Sequence, residues 1–352
     1  MIDRRSELSV DTDQGGKFTL SINVDLYHLA CGAVSLDVMD VSGDNQLVDV
    51  EHTIYKRRID DSGNPIDAGS AQQGVEKVSK IGHNSSGVGT NAVATDELTR
   101  RRSAPGYCGS CYSASPSNVC CNDCDSVRLA YQKKGWVFNP ETIEQCVEEG
   151  KEMLIAAKSG EGCNVFGTLE VNKVSGNVHF APGRSFADGD VHIHDLSPFQ
   201  DINFNTSHRI RHLSFGTEIP GFQADAVHPL DNFVWKNDTS MQFQYFIKVV
   251  PTVHRSVGGI LTTTNQFSAT KNSVPLSTVT GRNLPGVFFY FDVVPLKVLI
   301  TEKRRSFLEF LTSVCAIIGG IFTVSGIIES ILHHGLLQKL SRNLPIARKE
   351  NK

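Results

Sequence analysis

The residues with the most chemistry in them are cysteines. Cys108-Gly-Ser-Cys111 is followed shortly by Cys120-Cys121-Asn-Asp-Cys124. Thiols at such spacings can pair as disulfides, exchange disulfides with a substrate, or hold zinc. The two C-x2-C pairs match zinc-site spacing, but the gap between them is shorter than the common ribbon spacing. An exchange site wants its C-x2-C at the start of a helix in a parallel βαβ setting, where the helix terminus lowers the thiol pKa. Here the pair lies in a loop containing Pro and Ser. Structural disulfides are therefore the first reading, with redox and zinc as the alternatives. Cys31, Cys146 and Cys163 raise the number ahead of Phe310 to eight, while the ninth cysteine, Cys315, lies inside an apolar run. An even set confined to one region is the pattern of a disulfide framework in an oxidising compartment, and its connectivity is open.

Histidines form the second group: His179, His192, His194, His208, His212, His228 and His254 fall among later strands. Period two puts His192 with His194 on one face, and His208 with His212. A His-x-His pair can hold metal, but at strand spacing it reads as solvated surface, so no metal ligand and no cofactor is expected. The functional alternative is a proton switch at His192, His194, His208 and His212, because imidazole titrates near pH 6.5. There is no nucleophile elbow, phosphate loop, dinucleotide fingerprint or HExxH. Asp188, Asp190 and Asp195 read as solvated turn residues. No catalytic residue emerges, and the chain is not expected to be an enzyme.

The elements that must carry these residues are mostly strands. In FTLSINVDL, residues 18 to 26, Leu20, Ile22, Val24 and Leu26 alternate with Ser21, Asn23 and Asp25, as in a half-buried strand. Leu36 and Val38, then Val48 and Val50, flank a Ser42-Gly43-Asp44-Asn45 turn and predict a hairpin. Residues 60–105 are rich in Gly, Ser and Asn and read as a mobile loop. Asp125 to Lys134 reads as helix. Asn139-Pro140-Glu141 starts a second helix with a cap and a first-turn proline, and Gly160 ends it. Strand signals then run through Val165–Val171, Val178–Phe180, Val191–Leu196, His208–Phe215, Phe243–Val250, Gln266–Thr270 and Val287–Ile300. The expected fold is mainly β: an antiparallel β-sandwich with a short helical, cysteine-rich insertion at 106–160.

From Phe310 to Ile328 no charged residue occurs, enough for a helix to cross a bilayer. Gly319 and Gly320, with Ser325 and Gly326, would let another helix approach closely. Basic residues lie on both sides of the span and leave its orientation open. Cysteines and the sequons at Asn84, Asn205 and Asn237 supply it, placing 1–306 in the lumen, 307–332 in the membrane and 333–352 in the cytosol. The N-terminal residues have no apolar core of a signal peptide, and the chain is expected to lack its true N-terminus. A formal net charge of -4 gives no basic footprint, so no nucleic-acid partner is expected.

Longer runs carry a resemblance. SLDVMDVSG (35–43), VEHTIYKRR (50–58), CGSC with VCCNDC (108–124), SVRLAYQKKGW (126–136), FQYFIKVVPTV (243–253), LPGVFFYFDVVPLKV (284–298) and TEKRRSFLEFLTSVCAIIGGIFTVSGIIES (301–330) stand in one order along the chain. HLSFG (212–216) and NQFSAT (265–270) join them. On these the sequence resembles the endoplasmic reticulum-Golgi intermediate compartment protein 3 (Erv46-type) family of ER vesicle proteins. The resemblance implies two membrane helices flanking a lumenal β-sandwich, a complex with an Erv41-type subunit, and cycling in COPI and COPII vesicles between ER and Golgi. It implies a receptor that retrieves escaped ER residents, with lumenal cargo, vesicle coat proteins and membrane lipid as further partners. The cysteine loop is then the candidate cargo contact. A lumenal thiol-disulfide oxidoreductase using Cys108 and Cys111 is the alternative. Two departures from the family pattern are the missing first membrane span and a divergent 62–96. The tail Arg348-Lys349-Glu350-Asn351-Lys352 has Glu where a dilysine retrieval signal needs Lys.

Overall fold

The computed structural model describes residues 2–12, 15–41, 53–66, 75–77, 106–116, 118–188, 191–199, 202–217, 228–237, 239–276, 284–304 and 306–343. In chain order the first strands are β1 (Ile2–Val10), β2 (Lys17–Leu26), β3 (Val34–Asp40), β4 (Thr53–Ile59) and β5 (Val75–Lys77). Two helices follow, α1 (Cys124–Lys134) and α2 (Glu144–Lys158). Next come β6 (Gly162–Asn172), β7 (Gly176–Pro182), β8 (Arg184–Asp188), β9 (Val191–Asp195), β10 (His208–Gly216) and β11 (Phe233–Trp235). The last strands are β12 (Met241–Arg255), β13 (Leu261–Pro275), β14 (Gly286–Val293) and β15 (Leu296–Arg304), and helix α3 (Phe307–Asn343) follows them. The chain forms two compact units: one of Met1–Ser6, His254–Leu261 and Ile300–Lys352, the other of Glu7–Val253 and Thr262–Leu299.

Strand alternation builds the larger unit. On β2 the side chains of Phe18, Leu20, Ile22, Val24 and Leu26 are buried, the face that their spacing dictates. Each such side chain contributes about 1.5–3 kcal/mol by leaving water. The sheet runs β3-β7-β14-β12-β13-β10-β2-β6-β4-β5. Phe18 of β2 meets Phe291 of β14 edge-on at 5.9 Å between centroids, and Phe215 of β10 lies 5.9 Å from the same ring. Strands this far apart in the order touch only if the sheet curls on itself, so that its inward faces share one core. The expected mainly β class holds.

Two details differ from an all-antiparallel sandwich. The chain returns along β13 to the start of β12 and enters β14 on β12's other side, so β12 and β14 are parallel, Gln242 to Val249 against Gly286 to Val293. β8 and β9 form a separate two-stranded sheet. The stretch Val287–Ile300 is two strands, β14 and β15. Most of the proposed 60–105 loop, the Ser42–Asn45 turn with Val48 and Val50, and Asn84 lie outside the described residues. Within that stretch Val75–Lys77 pairs with β4.

The helical insertion starts as its caps require. Asp123 and Ser126 form a capping box on α1, and Gly135 closes it at φ 67. Asn139 caps a single 3-10 turn at Pro140–Thr142, and α2 begins only at Glu144. The gap is Ile143, extended at φ -102 so that its side chain enters a second small core with Cys111, Ala114, Cys121, Val127 and Ala130.

In the smaller unit, Arg4 and His254 both reach Glu302, at 2.9 and 3.4 Å. Its long helix α3 holds Phe307–Gly335, 29 residues within which an 18-residue stretch has a mean hydropathy of 2.1 and is 0% buried, long and apolar enough to cross a membrane. A helix meets the bilayer's demand that every backbone polar group be satisfied internally.

Candidate functional site

All eight cysteines ahead of α3 are paired. Cys108 joins Cys120 and Cys111 joins Cys121, so the CGSC thiols bond across the loop and not to each other. Cys124–Cys146 ties α1 to α2, and Cys31–Cys163 ties the segment after β2 to the start of β6. Cys315 is free and exposed on α3. The disulfide reading of the loop thus stands over zinc, and the redox reading loses its own internal pair. Gly109 is required where the strands of the loop cross: a Cβ there would meet the Cys121 carbonyl oxygen at 2.1 Å. Cys121 N donates to Gly109 O (3.0 Å), and Gly109 N donates to the Asn122 side chain (2.8 Å). Gln145 Nε2 donates to Ser110 O and Cys121 O, both at 2.8 Å, anchoring the loop on α2. The same insertion carries exposed apolar side chains: Val119 in the loop, Leu129 on α1, and Trp136 (47% exposed) and Val137 (92%) just after it. A rigid insertion with uncovered apolar groups can dock an apolar segment of another protein.

The histidines divide by burial. His192 and His194, read from sequence as solvated, turn inward: their side chains are 11% and 3% exposed. They share one face of β9, as period two demands, and meet His179 of β7 and Asp37 of β3. Asp37 and His179 are direct cross-strand partners on β3 and β7. His194 Nε2 lies 3.1 Å from His179 Nε2 and 3.0 Å from His192 Nε2. Burial pushes the His179 imidazole down to about 4, against the opposing pull of Asp37, and lowers His194 as well. Burial alone would raise the Asp37 carboxyl, but the imidazoles and the Ser185 hydroxyl hold it below the usual carboxylate range. Sequence reasoning named His179 among the strand histidines without making it a site candidate, and it missed Asp37. The available signal was a charged residue inside the apolar run Leu36-Asp37-Val38 and a histidine between Val178 and Phe180.

His208 is wholly buried. Its Nδ1 donates to Thr206 O (2.9 Å), and its Nε2 accepts from Tyr245 Oη (2.6 Å). Burial lowers it to about 4, so it stays neutral between about pH 7 and 6 and is a fixed member of the core. His212 is partly exposed, with Nδ1 2.8 Å from Asp231 Oδ2, Nε2 3.0 Å from Ser214 Oγ and His228 beside it at 5.0 Å. The four switch candidates therefore do not converge: His192 and His194 form one cluster, while His208 and His212 stand in two other settings.

The β8–β9 hairpin reaches from the histidine cluster to the cysteine-rich helices. Arg184 at the start of β8 pairs with Glu149 of α2 and approaches Asp125 of α1 at 3.6 Å. The Arg128 guanidinium of α1 lies over the Phe186 ring at 4.0 Å. Glu149 in turn accepts from Cys124 N at 3.1 Å.

Of the sequons, Asn205 and Asn237 are neighbours: Ser207 Oγ donates to Asn237 O (2.8 Å) and accepts from Asn237 N (2.9 Å). On α3 a Cβ at Gly319 or Gly320 would meet nothing within 4 Å, so both glycines lie open along the helix.

Residues 111–329 match the family described as endoplasmic reticulum vesicle transporter, and residues 1–47 match one described as Endoplasmic Reticulum-Golgi Intermediate Compartment (ERGIC). A probable endoplasmic reticulum-Golgi intermediate compartment protein 3 of Dictyostelium discoideum is 42% identical over 340 residues, covering 94% of this chain and 83% of that protein. ER-derived vesicles protein ERV46 of Saccharomyces cerevisiae is 33% identical over 367 residues, covering 94% and 84%. Among solved structures, that of Erv41p is similar at 20% identity with a TM-score of 0.45, covering 84% of this chain and 99% of that one.

Proposed function

The chain belongs to the endoplasmic reticulum vesicle transporter family, and from that premise we propose that it is a cargo receptor of ER-Golgi transport, holding lumenal proteins on its disulfide-stapled loop. The observation that carries this reading is the loop itself. Three disulfides and the Gln145 clamp fix its backbone, while Val119, Leu129, Trp136 and Val137 stay uncovered beside it. Holding an apolar surface rigid reduces the entropy lost when a partner docks. Disulfides on one side of the apolar helix support a lumenal position for residues 1–306 and a cytosolic one for 333–352. In the membrane, Gly319 and Gly320 are the contact points for a neighbouring helix, and an Erv41-type subunit is the expected partner. The tail then meets COPI and COPII coats, so one chain couples cargo to vesicle. Sugars at Asn84, Asn205 and Asn237 belong to the same lumenal setting.

The test is cargo retention. Cells expressing the Trp136→Ser/Val137→Ser chain should secrete ER-resident proteins that wild-type cells keep, while its mass without reduction still shows four disulfides. Unchanged retention with the variant at wild-type abundance would remove the loop as the cargo site. A mixed disulfide trapped between Cys108 and a lumenal protein in the Cys111→Ser/Cys120→Ser chain, where Cys108 has lost its partner, would favour the oxidoreductase instead.

A further inference from the structure

Three imidazoles from β7 and β9, close in the chain, and one carboxylate from distant β3 bring their ligand atoms within 4.8 Å of one another. We propose that Asp37, His179, His192 and His194 form a site for a divalent transition metal of the zinc class, bound through Asp37 Oδ2 and the three Nε2 atoms. The site is independent of the cargo reading.

Spacing is the first argument. The four ligand atoms all lie within 4.8 Å of one another. Two nitrogen pairs stand 3.0 and 3.1 Å apart, and Asp37 Oδ2 is 3.8, 3.7 and 3.5 Å from the nitrogens of His179, His192 and His194. Zinc bonds to nitrogen and carboxylate oxygen are about 2.0–2.2 Å, and a tetrahedron of such bonds has ligand-to-ligand edges of about 3.3–3.6 Å. Five of the six edges, at 3.0–3.8 Å, lie within a few tenths of an ångström of that range, so small side-chain shifts would complete the figure.

Proton placement is the second. His179 Nδ1 is 2.8 Å from Asn177 Oδ1, an acceptor, so the ring proton sits on Nδ1. His194 Nδ1 is 3.3 Å from Ser35 Oγ, whose own proton goes to Ala181 O at 3.1 Å, so this ring too carries its proton on Nδ1. Both Nε2 atoms then present bare lone pairs to each other at 3.1 Å. Two lone pairs at that distance repel, and a cation between them removes the conflict. A metal-bound histidine usually donates its other ring proton to an outer acceptor in this way.

The carboxylate supplies a third, separate observation. Asp37 Oδ1 accepts from Ser185 Oγ at 2.5 Å, but among the described residues Oδ2 takes no hydrogen bond although its side chain is 2% exposed, and it lies 3.5–3.8 Å from the three imidazole nitrogens. An ionised oxygen so enclosed is costly unless it meets positive charge. Three nitrogens and one oxygen suit zinc and its transition-metal neighbours, whereas calcium and magnesium take oxygen ligands. Four protein ligands close the coordination sphere, as in structural sites, and the Phe288 ring stacked on His179 at 4.9 Å walls one side. The metal would clamp the β8–β9 hairpin, which carries His192 and His194, to the β3–β7 pair, which carries Asp37 and His179.

The full chain, purified in detergent without a polyhistidine tag and dialysed against zinc and then buffer, should retain about one zinc per chain by elemental analysis. Loaded with cobalt, it should show the visible absorption of a tetrahedral site. His192→Gln, changed at the most exposed of the four, and Asp37→Asn should bind at least about tenfold more weakly, with four disulfides still present by mass. A wild-type chain with no retained zinc and no cobalt absorption would overturn the site and leave a histidine cluster sharing protons. Full retention by both variants would overturn it equally.

Discussion

At His208 a positive charge would form in a fully buried setting against the Phe243 ring, Tyr245 and the Thr206 carbonyl, and this fixes the sign of its effect on stability. Folding holds it near pKa 4, while the unfolded chain has the ordinary 6.5. The folded state therefore binds fewer protons, so the stabilisation is complete above about pH 6.5 and drains away as pH falls toward 4. The loss is about 1.4 kcal/mol per pH unit in that window, roughly 3 kcal/mol in all. Urea unfolding of the detergent-solubilised chain at pH 7 and 4.5 should show the midpoint falling less in His208→Gln than in wild type. Equal falls would mean that His208 does not titrate on unfolding. Sequence reasoning located this residue on its strand but could not see its charge state, because Tyr245, which encloses it, comes from β12. The same limit hid the meeting of Asp37 with His179: the β3–β7 register brings them together across more than a hundred residues.

Among the elements, β2 was readable outright, since its apolar residues alternate and its two faces differ. The capped helix α1 was readable for the same kind of reason, its signals being local. What was not readable was set by neighbours: the parallel pairing of β12 with β14, the turn of 3-10 helix before α2, and the cysteine pairing, for which eight thiols allow 105 schemes. Cys31–Cys163 spans a sequence separation of 132 and lies in the main core. Closing so long a loop restricts the unfolded chain strongly. The Cys31→Ser/Cys163→Ser chain should lose about 2–5 kcal/mol of unfolding free energy, seen as a lower urea midpoint under oxidising conditions. A midpoint unmoved from wild type would show that β2–β6 pairing alone holds these elements. The hairpin β8–β9 links two local structures, the histidine cluster and the cysteine-rich helices, through Arg184 and Phe186.

For the molecule as a whole, division of labour follows from solvent. The larger unit, Glu7–Val253 with Thr262–Leu299, provides a curled sheet around its core and carries the stapled loop, and α3 carries an uncovered apolar surface. The family was legible from long collinear runs, whereas the shape of the loop that would hold cargo was not, because its pairs cross. The central claim is that the apolar rim of this loop touches lumenal cargo. A photo-crosslinking residue placed at Val137, the most exposed apolar position beside the loop, tests it most directly in intact cells. Irradiation should join the chain to soluble ER-resident proteins, and a crosslinker at Val10, also exposed but distant in sequence, should not. Equal yields of those residents from both positions, or none from Val137, would contradict the account.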